Sequence, residues 1–247
     1  MSKWLEGRVV GQKRWTDRLC SLQVAASLGR FEAGQFVKLA LDAGGERIAR
    51  PYSLVNPPGA EPLEFYYNVV AQGPLSPRLA ALAAGDAVHV AQNVAGFLVL
   101  AEVPEAENLW LIATGTGLGP FLSILRTEAP WQRFREVVLV HATRLAAEQA
   151  YGEVLCAIGA ARGERFRRVA VVSRERAPGA LEGRIPDAIG DGRLERAART
   201  ELSAARSHAM LCGNPAMATD VTAALGARGM RKHRRRAPGH ISLETYW

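Results

Sequence analysis

Leu109-Trp110-Leu111-Ile112-Ala113-Thr114-Gly115-Thr116-Gly117-Leu118-Gly119-Pro120-Phe121-Leu122-Ser123-Ile124-Leu125 is the stretch whose reading decides the fold. It opens on an unbroken apolar run, the pattern of a strand buried on both faces. Alternating glycines follow, and then a second apolar run suited to a helix. Strand, glycine turn and helix in that order mark a nucleotide-binding α/β unit. Glycines let the backbone approach a pyrophosphate, and the helix N-terminus offers free N–H groups and the positive end of its dipole. An ordinary tight turn reads similarly over so short a window, so the flanking sequence has to decide.

Downstream, short apolar runs recur at 137–141, 169–172 and 209–212. Between them Tyr151, Val154, Leu155 and Ile158 fall at helical spacing. Asn214-Pro215 has the form of an N-cap followed by proline at the first helical position, with Val221 and Leu225 on one face beyond. Alternating strands and helices imply a parallel sheet. NAD sites commonly place an acidic residue about 20 residues beyond the glycines. Here the second strand ends His141-Ala142-Thr143-Arg144, the third Ser173-Arg174-Glu175, and Gly183-Arg184 follows. Arginines at strand tips suit a 2′-phosphate and therefore NADP(H).

Upstream the pattern is β. Runs at 18–24, 35–41, 63–70 and 87–91 are separated by Gly, Pro and Asp clusters, with one helical piece at 76–83. Short strands at such spacing predict an antiparallel barrel or sandwich. The expected domains are therefore a β-barrel over 1–102 and an α/β domain over 103–247. Arg50-Pro51-Tyr52-Ser53 sets a cation, a ring and a hydroxyl at the end of one barrel strand. Such a trio suits a flavin.

The 247 residues are 48% hydrophobic and 22% charged, a globular composition with a net charge of +7. Cys20, Cys156 and Cys212 form neither a CxxC nor a metal spacing. No signal peptide or spanning segment is evident, so the expectation is a reduced, cytoplasmic monomer with neither membrane nor nucleic acid as partner. Arg228, Arg231, Lys232, Arg234, Arg235 and Arg236 make a dense basic cluster. Without interleaved aromatics it suits an acidic protein better than a single strand of nucleic acid. The chain ends Tyr246-Trp247, an aromatic pair suited to stacking on a flat ligand.

Together these segments resemble the bacterial ferredoxin–NADP⁺ reductases, most closely the compact enteric flavodoxin/ferredoxin type, over essentially the whole chain. The markers, in order, are Phe31-Glu-Ala-Gly-Gln-Phe36, Arg50-Pro-Tyr-Ser53, Leu63-Glu-Phe-Tyr66, Gly73-Pro-Leu-Ser-Pro-Arg-Leu79, Ala113-Thr-Gly-Thr-Gly117, His141-Ala-Thr-Arg144, Val172-Ser-Arg-Glu175, Gly183-Arg-Ile-Pro186, Met210-Leu-Cys-Gly-Asn-Pro215 and Tyr246-Trp247. The resemblance implies a six-stranded antiparallel Greek-key barrel binding FAD, followed by a parallel-sheet α/β domain binding NADP(H). It implies that Arg50, Pro51, Tyr52 and Ser53 hold the flavin and its phosphates, with Tyr66 and Asn68 on the adjoining strand. Pro74, Leu75 and Ser76 match the turn that cradles the FAD pyrophosphate, Thr116 reaches the flavin side of the nucleotide loop, and Tyr246 and Trp247 pack on the cofactor. Asn68 and Pro74 depart from the residues usual at their positions. Thr143, Arg144, Ser173, Arg174 and Arg184 match the adenosine-phosphate site, and Gly213, Asn214 and Pro215 follow Cys212 at the nicotinamide.

The expected activity is hydride transfer between NADPH and FAD, then single-electron exchange with ferredoxin or flavodoxin. Ser53, Cys212 and Glu244 are the candidate catalytic residues: Ser53 at the flavin's reactive edge, Cys212 beside the nicotinamide and Glu244 as a proton relay. Arg231, Lys232, Arg234, Arg235 and Arg236 are the candidate carrier-docking residues. Two alternatives stand beside this reading. One is a free flavin reductase or oxygenase reductase component of the same superfamily; the other is a nucleotide-responsive nucleic-acid-binding protein.

Overall fold

The computed structural model describes residues 3–245. Tyr246 and Trp247, expected at the flavin, lie outside the described residues. By its contacts the chain divides into two units. The first runs to Val99 and regains Gly119–Thr127; the second comprises Leu100–Leu118 and everything described from Glu128 on.

The first unit is a curled antiparallel sheet of β1 (Trp4–Arg14), β2 (Leu19–Ala25), β3 (Phe36–Ala43), β4 (Glu46–Ser53), β5 (Leu63–Asn68) and β6 (Ala87–Ala91). The order β4-β3-β6-β1-β2-β5 places sequence neighbours apart, as a Greek key does. The curl closes where Leu54 bridges Phe65 and the Val55 N–H donates to the Glu64 carbonyl at 2.9 Å. Closure removes the exposed edges that an open sheet would present. Alternation along the strands turns Leu22, Val24, Val37, Leu39, Phe65, Val88 and Val90 into one core, each fully buried. The helix α1 (Ser76–Ala80) adds Leu79 to it. Gly119–Thr127 belongs to this unit because the Ser123 hydroxyl donates to the Asn56 carbonyl at 2.8 Å and Arg126 lies 4.0 Å from Glu64. Of the helix α2 (Leu118–Leu125), expected within the α/β domain, the residues from Gly119 on thus group with the first unit.

The second unit is a parallel sheet of β7 (Asn108–Thr114), β8 (Glu136–Thr143), β9 (Phe166–Val172), β10 (Ala180–Glu182), β11 (Ser207–Gly213) and β12 (Ile241–Thr245), ordered β10-β9-β8-β7-β11-β12. From β7 the chain works outward to β10, then returns to the other side of β7 as β11. That reversal makes the C-terminal ends of β7 and β11 a topological switch point, where open α/β sheets bind ligands. Helices α3 (Ala129–Arg133), α4 (Gly152–Arg162), α5 (Ile185–Gly190), α6 (Arg193–Ala198) and α7 (Pro215–Gly226) make the connections. One face of the sheet packs Trp110, Ile112, Val138, Val140 and Leu211 against Ile185, Ile189 and Leu194 of α5 and α6 and Val221 and Leu225 of α7. Asn214 caps α7 as its spacing implies, its side chain accepting from the N–H groups of Ala216 and Met217. Tyr151, expected to start a helix, precedes α4 as its N-cap with a φ of 60°.

Candidate functional site

All strands of the second sheet run the same way, so every loop leaving a strand's C-terminal end emerges on one edge. Sequence order alone therefore gathers Gly115-Thr116-Gly117 after β7, Arg144 after β8, Ser173 and Arg174 after β9, Arg184 after β10 and Asn214 after β11.

The glycine turn is a single 3-10 turn, Gly115–Gly117. Gly115 has a φ of +52°, which glycine adopts without steric cost. Gly117 is required for another reason. A Cβ on it would lie 2.3 Å from the Cys212 carbonyl oxygen. The reading of the glycines as room for a pyrophosphate is thus incomplete, since Gly117 makes room for β11. Thr114 secures the same junction, its Oγ1 accepting from the Asn214 N–H at 3.0 Å. Thr116 is half-exposed on the turn.

The loops after β8 and β9 are joined. The Arg174 N–H donates to the Arg144 carbonyl at 2.9 Å, and the Ser173 N–H to the Thr143 carbonyl at 3.1 Å. Two carboxylates that sequence reasoning passed over shape this loop. Glu148 Oε2 accepts from the N–H groups of Arg144 and Leu145 at 2.8 and 3.1 Å. Glu175 Oε1 accepts from the Ala146 N–H at 2.6 Å. For Glu148 the signal was present, an acid three and four residues after two free amides; Glu175 comes from another strand and has no local signature. Thr143 is buried, and its hydroxyl donates to the Leu145 carbonyl and accepts from Gln149. It shapes the turn from within.

Arg144, Arg174 and Arg184 are exposed, and none forms an ion pair among the described residues. By contrast Arg176, in the loop after β9, pairs with Glu182, and Arg193 pairs with Asp191. Three uncompensated guanidinium groups on the ligand edge of a parallel sheet fit a phosphate carried by a nucleotide.

Cys212, the penultimate residue of β11, is fully buried, in register with Ala113 on one side and Glu244 of β12 on the other. Cys212 and Glu244 are therefore neighbours across two strands; Ser53 belongs to the first unit.

In that first unit, register sets Arg50 and Tyr52 opposite Leu39 and Val37, hence on one face of β4. Arg50 is exposed and donates to the Ala49 carbonyl. Tyr52 stands edge-on to Tyr67, with ring centroids 5.9 Å apart, and burial pushes its phenol up to about 12. Ser53 is buried on the opposite face. Tyr66 is buried at Ser21 of β2, and Asn68 is half-buried opposite Leu19. Leu75 is a core residue, so only its backbone can serve a ligand, while Pro74 is exposed. The Ser76 hydroxyl accepts from the Val70 N–H at 3.0 Å. An exposed guanidinium, a largely buried tyrosine ring and buried hydroxyls form a donor set that fits a flavin nucleotide.

The basic cluster sits elsewhere. Arg231 to Arg236 precede β12, whose first residue Ile241 pairs with Ala209 near the start of β11. They therefore occupy the N-terminal edge of the parallel sheet, opposite the glycine turn. A turn closed by Arg234 and Ala237 presents them. Arg235 is engaged with Glu102, and Arg228 is half-buried against Glu195. Arg231, Lys232, Arg234 and Arg236 remain exposed.

Residues 111–223 match the oxidoreductase NAD-binding domain model. The flavodoxin/ferredoxin–NADP reductases of Escherichia coli and Shigella flexneri are each 48% identical to the chain over 248 residues, covering 100% of both sequences. A Neisseria gonorrhoeae ferredoxin NADP⁺ reductase, solved with bound FAD and NADP, superposes with a TM-score of 0.94 at 33% identity, covering 100% of both chains. Site geometry, fold and full-length likeness agree: the chain belongs to the flavodoxin/ferredoxin–NADP reductase family.

Proposed function

We propose that this protein exchanges a hydride between NADPH and FAD and single electrons between FAD and a ferredoxin or flavodoxin. The observation that carries the reading is the set of unpaired Arg144, Arg174 and Arg184 on the sheet edge that also holds the Gly115–Gly117 turn. Bound FAD supplies hydride acceptance in one step and release of electrons one at a time.

The chain's own residues bind and orient. Arg144, Arg174 and Arg184 take the 2′-phosphate, with Ser173 beside them. The glycine turn, Thr116 and the Gly213-Asn214-Pro215 loop seat the rest of the nucleotide, and Cys212 provides a close-packed floor at the nicotinamide end. In the first unit Arg50 neutralises phosphate, Tyr52, Tyr66 and Asn68 flank the ring system, and Ser53 offers a hydroxyl at its reactive edge. Pro74, Leu75 and Ser76 bend the chain around the pyrophosphate. Hydride transfer depends chiefly on placing donor and acceptor atoms, and such positioning is worth several orders of magnitude. Glu244, beside Cys212, relays the proton that accompanies flavin reduction.

Arg231, Lys232, Arg234 and Arg236 form the docking surface for an acidic carrier, and the protein works as a cytoplasmic monomer. No helix among the described residues is long and apolar enough to cross a membrane. The test is direct. Purified protein should release a flavin on denaturation, and NADPH should bleach its visible absorption at far lower concentration than NADH. A colourless protein that bound no flavin would refute the reading.

A further inference from the structure

His141 lies near the end of β8, fully buried in a strand whose other residues are aliphatic apart from Glu136 at its start and Thr143 at its end. A titratable ring in that setting is costly to desolvate, and an aliphatic side chain would serve the core as well. Its ring Nε2 is 3.0 Å from the carbonyl oxygen of Gly115. A carbonyl only accepts, so Nε2 bears the proton. Burial holds the ring's pKa down at about 4, which leaves the imidazole neutral near neutral pH, with its one proton committed to Gly115.

The Gly115 carbonyl is held from a second side by the Leu118 N–H, so its direction is fixed within the turn. The main chain of His141 is anchored in turn. Gln149 Nε2 donates to the His141 carbonyl and to Thr143 Oγ1, both at 3.0 Å. Thr143 Oγ1 donates to the Leu145 carbonyl at 2.8 Å, and the preceding carbonyl, that of Arg144, accepts from the Arg174 N–H. Hydrogen bonds, linked by short stretches of main chain, thus join the glycine turn to the arginine loops through His141 and Gln149.

We propose that His141 is a positioning residue for the nucleotide: through the Gly115 carbonyl it sets the Gly115–Gly117 turn against the Arg144–Arg174 loops, so that both ends of one dinucleotide are engaged together. The proposal rests on the reading of this edge as the NADPH site. It predicts a division of labour. A ligand touching only the arginine loops should be indifferent to His141, and a ligand spanning loops and turn should depend on it.

The experiment compares wild type, His141→Leu and His141→Gln as flavin-loaded proteins. NADP⁺ and 2′,5′-ADP are titrated by the change in flavin absorbance or by calorimetry, KM for NADPH and kcat are measured with ferricyanide, and thermal melts accompany each variant. Loss of one hydrogen bond should weaken NADP⁺ binding and raise KM about three- to tenfold in His141→Leu. The 2′,5′-ADP affinity should stay within about twofold. His141→Gln, whose amide N–H reaches a similar point, should recover NADP⁺ binding. Equal losses for both ligands in His141→Leu, no loss for either, or no recovery in His141→Gln would overturn the proposal. If His141→Leu does not fold, the glutamine variant still decides, because a selective loss of NADP⁺ there contradicts it. A wild-type protein that bound neither ligand would overturn the nucleotide edge itself.

Discussion

The backbone N–H of Arg174 donates to the backbone carbonyl of Arg144 at 2.9 Å, locking two arginine-bearing loops from adjacent strands to each other. Neither guanidinium forms an ion pair among the described residues, so both remain available to an anion. Arg174→Ala and Arg184→Ala should each raise KM for NADPH and leave KM for NADH nearly unchanged. A charge-assisted contact is worth about 1.5–3 kcal/mol, or roughly ten- to a hundredfold. Steady-state kinetics with both nucleotides checks this, and equal losses with each would contradict it.

The junction of β7 and β11 tolerates no added atom at Gly117, where a Cβ would meet the Cys212 carbonyl at 2.3 Å. Backbone has to shift to admit it. Gly117→Ala should cost about 1–3 kcal/mol of stability by overpacking and should impair NADPH oxidation as well. Denaturant unfolding followed by activity at matched folded fraction measures both effects. A variant as stable and as active as wild type would contradict the close approach of the two strand ends.

Much of the architecture was legible in the sequence, for identifiable reasons. The cores of β7, β8, β9 and β11 are unbroken apolar runs, and the glycine turn and the Asn214 cap announce themselves locally. β1 was not, since Gly7 and Gly11 interrupt its alternation and its pairing with β2 shifts register between Val9 and Gly11. β10 and β12 are too short to show a period. Site chemistry divides similarly. The arginines at strand tips could be read directly, but the Glu175 contact to Ala146 spans 29 residues and the Arg235–Glu102 pair 133. Contacts of that kind are set by the tertiary fold, and no sequence window contains both partners. Hence the basic cluster reads as six equivalent cations, although two of them are already paired within the protein.

His208, 1% exposed, shares a 2.9 Å hydrogen bond with Ser242 of β12 and lies edge-on to His233. Desolvation, with His233, His240 and Arg133 nearby, lowers its pKa from 6.5 to about 3. The folded state therefore resists a proton that the unfolded chain accepts. Stability from this group is complete above pH about 6.5 and declines as pH falls toward about 3. The depressed carboxylates, such as Glu107, begin to lose their contribution only below the ordinary carboxylate range near 4.5. Between pH 6.5 and 4.5 the fall in Tm should thus reflect buried histidine, and His208→Asn should flatten it. An unchanged slope would remove His208 from the account.

Charge reversal at Arg231, Lys232, Arg234 and Arg236 should slow reduction of an acidic carrier, most strongly at low salt. The Debye length shrinks from about 30 Å at 0.01 M to about 8 Å at 0.15 M, so steering between opposite patches fades with added salt. Because these residues occupy the sheet edge opposite the glycine turn, NADPH oxidation by ferricyanide should be unaffected. Carrier reduction with unchanged rate and salt dependence would assign the cluster another role.

The proposed route carries electrons from NADPH through a bound flavin to a one-electron carrier protein. Anaerobic stopped-flow with the purified holoprotein tests it most directly. NADPH should bleach the flavin absorbance in a single fast phase. Oxidised flavodoxin or ferredoxin added next should restore it, with the carrier's own reduction spectrum appearing at the same rate. A flavin that NADPH leaves oxidised, or one reduced by NADPH but unable to pass electrons to any carrier tested, would contradict the account.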